Sequence, residues 1–148
     1  MLVTADAAYR SCPEDKRDRL LWAFLQSLQC MYHLYTAEFV KAQQEGLEGL
    51  DIRLELLSPD DLLISLSYSW IGMAAGGQED YDKGLEWLLK AGEILEGPAG
   101  NTPSRKMVWR YNTSRNYYCM GRFEEAEKLL SAALAEANKD KDSWYQQV

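Results

Sequence analysis

Phe39, Tyr81 and Phe123 follow one another at steps of 42 residues. Each sits in a similar hexapeptide, Ala37–Ala42, Glu79–Gly84 and Gly121–Ala126. Three further columns keep the same offset. Small residues come three positions after each aromatic (Ala42, Gly84, Ala126) and ten after it (Gly49, Ala91, Ala133). A third small set lies nine before it (Cys30, Gly72, Ser114), and no gap is needed to align the units. A fixed period of this length is the signature of stacked supersecondary units. Small residues spaced three and seven apart share one helix face and let another helix approach closely. The unit is therefore expected to be a helical hairpin with its aromatic at the head of the second helix. One hairpin cannot bury its apolar face alone, so the units must stack.

Turn chemistry divides the chain in the same places. Ser58-Pro59-Asp60-Asp61 offers a capping Ser, then Pro at the first helical position, then an acidic first turn. Gly97-Pro98-Ala99-Gly100-Asn101-Thr102-Pro103 is a strong break, with Thr102 expected to cap and Pro103 to start the next helix. Ser11-Cys12-Pro13-Glu14 is a weaker start of the same type. These signals predict helices over 13–36, 38–57, 59–76, 80–95, 103–120 and 122–139. The domain reading is an N-terminal extension or cap at 1–12, repeats at 13–57, 58–99 and 100–141, and the start of an incomplete fourth repeat at 142–148.

Composition bounds the function. The chain of 148 residues carries 16 basic and 23 acidic side chains, a net charge of −7. That balance argues against nucleic acid, which needs a positive footprint. No stretch has the roughly 18 uncharged apolar residues of a membrane span, so no membrane partner is expected. The N-terminal Met1–Asp6 lacks a basic region and an apolar run, so no signal peptide is read there. Cys12, Cys30 and Cys119 are odd in number, widely spaced and without a CxxC pair. They predict neither a disulfide scaffold nor zinc and favour a reducing, cytoplasmic setting. The sequon Asn112-Thr113-Ser114 is taken as chance.

The columns resemble the tetratricopeptide repeat family. That family has a small residue in its first helix, then an aromatic and two small residues in its second. Here these are Cys30, Phe39, Ala42 and Gly49; Gly72, Tyr81, Gly84 and Ala91; Ser114, Phe123, Ala126 and Ala133. The family's later first-helix aromatic is matched by Tyr117 alone, with His33 and Ala75 in the other units. Its large apolar residue in the second helix is present as Leu88 and Leu130 but is Gly46 in the first unit. The 42-residue period is similar to the long units of kinesin light chains. The resemblance covers residues 13–148 and implies an all-α fold. It would be a right-handed superhelical stack of antiparallel helix pairs, an α-solenoid of about three repeats.

The resemblance also implies a concave groove built by the first helices. Transferred column by column, it comprises Phe24, Ser27, Leu28, Met31 and Leu34; Leu66, Ser69, Trp70, Met73 and Gly76; and Val108, Tyr111, Asn112, Arg115 and Tyr118. The candidate partner-binding residues are Met31, Leu34, Ser69, Trp70, Met73, Tyr111, Asn112, Arg115 and Tyr118. Three of these columns drift from apolar to polar along the array: Leu28, Trp70, Asn112; Met31, Met73, Arg115; Ser27, Ser69, Tyr111. The expected partner is a protein helix or extended apolar peptide whose acidic group reaches Arg115. Trp70, Met31 and Met73 fit an ordinary core equally well. A basic clamp for terminal carboxylates has only Asn112 and Arg115 to draw on.

Nothing in the sequence asks for catalysis or a cofactor. His33 is the single histidine and occupies an interior column. Cys30 stands in a packing column, and neither it nor Cys119 has a local base. Gly72–Gly77 lacks the Lys-Ser/Thr of a phosphate loop. Glu38, Glu79-Asp80 and Glu124-Glu125 stand at starts of second helices, where they complement the helix dipole. Lys139-Asp140-Lys141-Asp142 is expected to be an inter-repeat loop, with Asp142 opening a fourth pair. Trp144 and Tyr145 then need a surface to pack on, which predicts homodimerisation or larger assembly through that end. The expected function is a non-catalytic protein-interaction module. The alternative is a sensor or self-assembly array of a larger switch ATPase.

Overall fold

The three turns inside the hairpins repeat each other residue for residue. Glu38 N donates to His33 O, Asp80 N to Ala75 O and Arg122 N to Tyr117 O, at 2.9, 3.1 and 2.8 Å. The residue before each donor is left-handed: Ala37 at φ 59°, Glu79 at φ 66° and Gly121 at φ 75°. This bond pattern closes the end of each first helix and turns the chain back within three residues. Only Gly121 adopts that conformation without a steric cost.

The computed structural model describes residues 18–98, 100 and 103–145, with side chains as far as 138. Among these residues there are six helices and no strand: α1 Arg19–Tyr35, α2 Phe39–Leu56, α3 Leu62–Gly77, α4 Tyr81–Glu96, α5 Pro103–Cys119 and α6 Phe123–Tyr145. Each helix packs on the next, and α3 also touches both α1 and α5. The first helices thus adjoin one another, as in an α-solenoid of three hairpins.

Several boundaries differ from the sequence expectation. Residue 18 cannot continue a helix from 13, because Asp18 is extended and its carboxylate accepts from Leu21 N at 3.0 Å as an N-cap. Ser58 does not cap α3. Its carbonyl accepts from Asp61 N at 2.9 Å in a tight turn, and Asp61 caps instead, accepting from Leu63 N at 2.7 Å. Pro59 therefore lies in the turn. Pro103 does open α5, while Thr102 and the expected extension at 1–12 lie outside the described residues. The loop expected at 139–142 is absent, and Asp142 opens no new helix, since α6 runs on to Tyr145. No Gly or Pro occurs between 122 and 145, and the Ala, Glu, Lys and Leu that dominate there are good helix formers.

The repeat columns form the packing seams. All nine small positions, from Cys30 to Ala133, are buried. Gly72 and Gly84 face each other so closely that a Cβ on Gly72 would fall 2.8 Å from Gly84 O. The missing large residue at Gly46 is made good by Ile71 of α3, whose Cγ1 occupies the space a Cβ there would need. Three clusters hold the stack: Cys30, Ala42 and Ala74; Leu50, Ile64 and Ile71; Leu88, Ala91, Leu95 and Trp109. Each joins a second helix to the first helix of the following hairpin. A fully buried Ile such as Ile71 contributes about 1.5–3 kcal/mol.

A buried arginine, absent from the sequence reading, pins the first seam. Arg53 on α2 donates to Ser27 Oγ and Ala23 O on α1 at 2.5 and 3.3 Å. It also donates to Ser67 Oγ and Leu63 O on α3, at 2.5 and 3.5 Å. The four oxygens that its guanidinium meets are neutral, and burial pulls its pKa down from the usual arginine value.

The aromatic column has a clear function in packing. A Cβ on Gly77 would fall 2.5 Å from the Phe39 ring, so Phe39 lies directly on the end of α3. One period later Tyr81 lies near the Cys119 thiol at the end of α5, and burial first, that thiol second, push the phenol pKa up. Both aromatics thus reach the C-terminal end of the first helix of the following hairpin. Phe123 has no following hairpin among the described residues. It is 59 % exposed and meets Tyr118 edge-on at 5.3 Å.

Candidate partner-binding cleft

The first helices of the second and third hairpins run side by side, and the gap between them forms a cleft. Leu66, Ser69, Trp70 and Met73 on α3 recur at helical spacing, as do Arg105, Val108, Trp109 and Asn112 on α5. With Ser65, Ser104 and Leu95 these side chains line a cleft of about 250 Å³. That volume is enough for one or two large side chains of a partner.

The α3 wall is apolar because its serine hydroxyls are already used. Ser69 Oγ donates to Ser65 O at 3.0 Å and Ser65 Oγ to Leu62 O at 2.9 Å. Asn112 donates to Met73 Sδ at 3.3 Å, which ties the two walls together. Trp109 is buried and donates its indole N–H to Leu88 O at 2.6 Å, forming part of the floor. Trp70 is half-buried, with its inner edge against the Cys30, Ala42 and Ala74 cluster. Arg105 reaches Leu62 O at 3.5 Å and makes no ion pair among the described residues. Arg110, one turn further on, is committed elsewhere: it pairs with Glu96 at 3.2 Å and with Glu136.

The residues read from the sequence divide into three groups. Ser69, Trp70, Met73 and Asn112 come together in the cleft with Leu66 and Val108. Met31 and Leu34 do not reach it. Met31 is exposed on α1 and Leu34 packs beside Cys30, because the first seam is closed by Arg53 and its serine partners. Tyr111 and Arg115 are exposed outside the lining, and Tyr118 borders the C-terminal face beside Phe123. Trp144 and Tyr145 lie on the last turn of α6, and their side chains are outside the described set. The sequence reading missed Arg105 and Trp109. Their positions three or four residues from Val108 and Asn112 were the available signal, since they continue the same helix face.

His33 and Cys30 are engaged in packing. His33 Nδ1 meets Glu45 Oε2 at 2.6 Å and joins α1 to α2. Cys30 is buried, and desolvation, with Glu45 second, pushes its thiol pKa up to about 12. Cys119 is exposed. Among the described residues no group of His, Cys, Asp and Glu could hold a metal ion, and no helix is long and apolar enough to cross a membrane.

No family model and no curated protein matches the chain. Among solved structures, the tetratricopeptide repeat domain of Arabidopsis FLU superposes with a TM-score of 0.73 at 15 % identity. The match covers 82 % of this chain and 99 % of that one. The fold of this chain is thus that of a tetratricopeptide α-solenoid of three hairpins.

Proposed function

We propose that this chain is a non-catalytic protein-interaction module, built on long repeats of the kinesin light chain kind, that takes an apolar segment of a partner protein in the α3–α5 cleft. The observation that carries this reading is the cleft itself, where Trp70, Met73 and Val108 leave apolar surface open between rigid helices. Met adapts to irregular partners and Trp anchors interfaces. Arg105, with no counter-ion among the described residues, marks one end of the cleft for an acidic group, a position better placed than Arg115 outside the lining. Buried Cys30 and exposed Cys119, both free thiols, suit a reducing compartment such as the cytoplasm.

The test uses a displayed peptide library selected on the wild-type protein. Val108 is exposed, so Val108→Arg fills the cleft mouth without touching the core. Selected peptides are expected to lose at least about tenfold in affinity for Val108→Arg, and those with acidic residues a similar factor for Arg105→Glu. Peptides that bind both variants as tightly as wild type would overturn the reading.

A second reading, self-association through the C-terminal end, is favoured by the uncovered Phe123 face.

A further inference from the structure

We infer that the α3–α5 cleft takes an extended peptide segment with one large apolar residue and an acidic residue two positions to either side of it. This inference rests on the cleft reading and specifies the chemistry of the partner. Charge is sorted between the two kinds of helix. The first helices α1, α3 and α5 contain no Asp or Glu, and their Lys and Arg residues are Arg19, Arg105, Lys106, Arg110 and Arg115. The second helices α2, α4 and α6 each hold two acidic residues for every basic one. A chain of net charge −7 thus keeps its carboxylates off the helices that build the cleft, and no lining residue is acidic. A positive site on an acidic molecule favours a negatively charged partner.

Two cations are placed to meet it. Arg110 is committed to Glu96 and Glu136, and Lys106 lies about 160° round the helix from Val108. Arg105 borders the cleft, and Arg115 is exposed one turn beyond Asn112. Neither makes an ion pair among the described residues. At 3.6 residues per turn, Arg105, Val108 and Arg115 fall within about 80° of one another, so both cations share the face on which exposed Val108 opens the cleft. At 1.5 Å per residue they stand about 15 Å apart along the helix axis. An extended chain covers about 13 Å in four residues and turns alternate side chains to one side. The central apolar side chain then enters the cleft while each acidic neighbour reaches a guanidinium, and the long Arg side chains make up the remainder. A helical partner fits less well. It needs a trough for apolar side chains from several successive turns. This cleft has room for one or two, and Asn112 and Met73 tie its walls together at 3.3 Å.

Fluorescence anisotropy of the 148-residue chain tests this with an end-blocked synthetic peptide carrying glutamate, serine, phenylalanine, serine and glutamate between glycine-serine ends. At low salt the wild type is expected to bind it at least about tenfold more tightly than the same peptide with both glutamates changed to glutamine, or with phenylalanine changed to serine. Arg115→Glu is expected to lose about tenfold toward the glutamate peptide and nothing toward the glutamine peptide. Circular dichroism checks that this exposed substitution keeps the helicity. Glutamate and glutamine peptides that bind alike, with the phenylalanine still required, overturn the acidic flanks and leave the cleft reading standing. Tighter binding by a helical peptide with glutamates about ten positions apart overturns the extended geometry. Failure of every peptide to bind the wild type overturns the inference, and the library selection then decides the cleft reading by itself.

Discussion

Arg53 shows how one residue can stabilise a seam without an ion pair. Its guanidinium joins three helices through four neutral oxygens. The serine hydroxyls that accept from it also donate to their own helices, Ser27 to Ala23 O at 3.0 Å and Ser67 to Leu63 O at 3.2 Å. They stay satisfied if the arginine is replaced by an apolar residue, whereas truncation leaves a cavity. Arg53→Ala is therefore expected to cost about 3 kcal/mol in urea unfolding, and Arg53→Leu about 1 or less. The next hairpin has Leu95 in this column, which supports the second figure. Equal losses for the two variants would contradict this account. Cys30 sets a different balance. Its thiol pKa rises from 9.0 to about 12 on folding, so the folded state holds the proton that the unfolded chain releases. The associated stability is complete below pH 9 and is lost as pH rises toward 12, by up to about 1.4 kcal/mol per unit. Urea midpoints of wild type are expected to fall more between pH 8 and 10 than those of Cys30→Ala. Parallel decline in the two proteins would rule this out.

Among the elements, the hairpin turn is the most uniform feature and the one least visible in the sequence. The left-handed residue is Ala37, Glu79 or Gly121, so composition gives no common signal, and only the glycine is unstrained. Left-handed backbone costs a non-glycine residue about 1–2 kcal/mol, partly offset by the extra unfolded-state freedom of glycine. Glu79→Gly and Ala37→Gly are each expected to raise stability by about 0.5–1 kcal/mol in denaturant melts; a loss in both would show that the turns are held for another reason. The small and aromatic columns were legible because every unit needs them for packing. Helix starts were less so. Ser58 and Asp61 are both good caps, and only the three-dimensional turn at Pro59 decides between them. The end of α6 was misread because charged residues suit a loop and an exposed helix face equally well.

At the scale of the whole molecule, the cleft was half legible. The column transfer found the α3 wall and Asn112 and Val108 on the α5 wall. It could not show that Arg53 closes the first seam, which leaves Met31 and Leu34 apart from the cleft, nor that Arg105 and Trp109 complete the second. Those outcomes depend on side chains that break the repeat, and a repeat pattern is silent about its own exceptions. The connections carry a further consequence. The turns within hairpins are identical at 36–38, 78–80 and 120–122, whereas the links between hairpins, 57–61 and 97–102, differ in length. The contact of Phe39 on Gly77 ties the first two units together independently of the link. The helices absorb that one-residue difference, 34 residues in α2 and α3 together against 33 in α4 and α5, so the period is a property of the whole hairpin and not of any one segment in it.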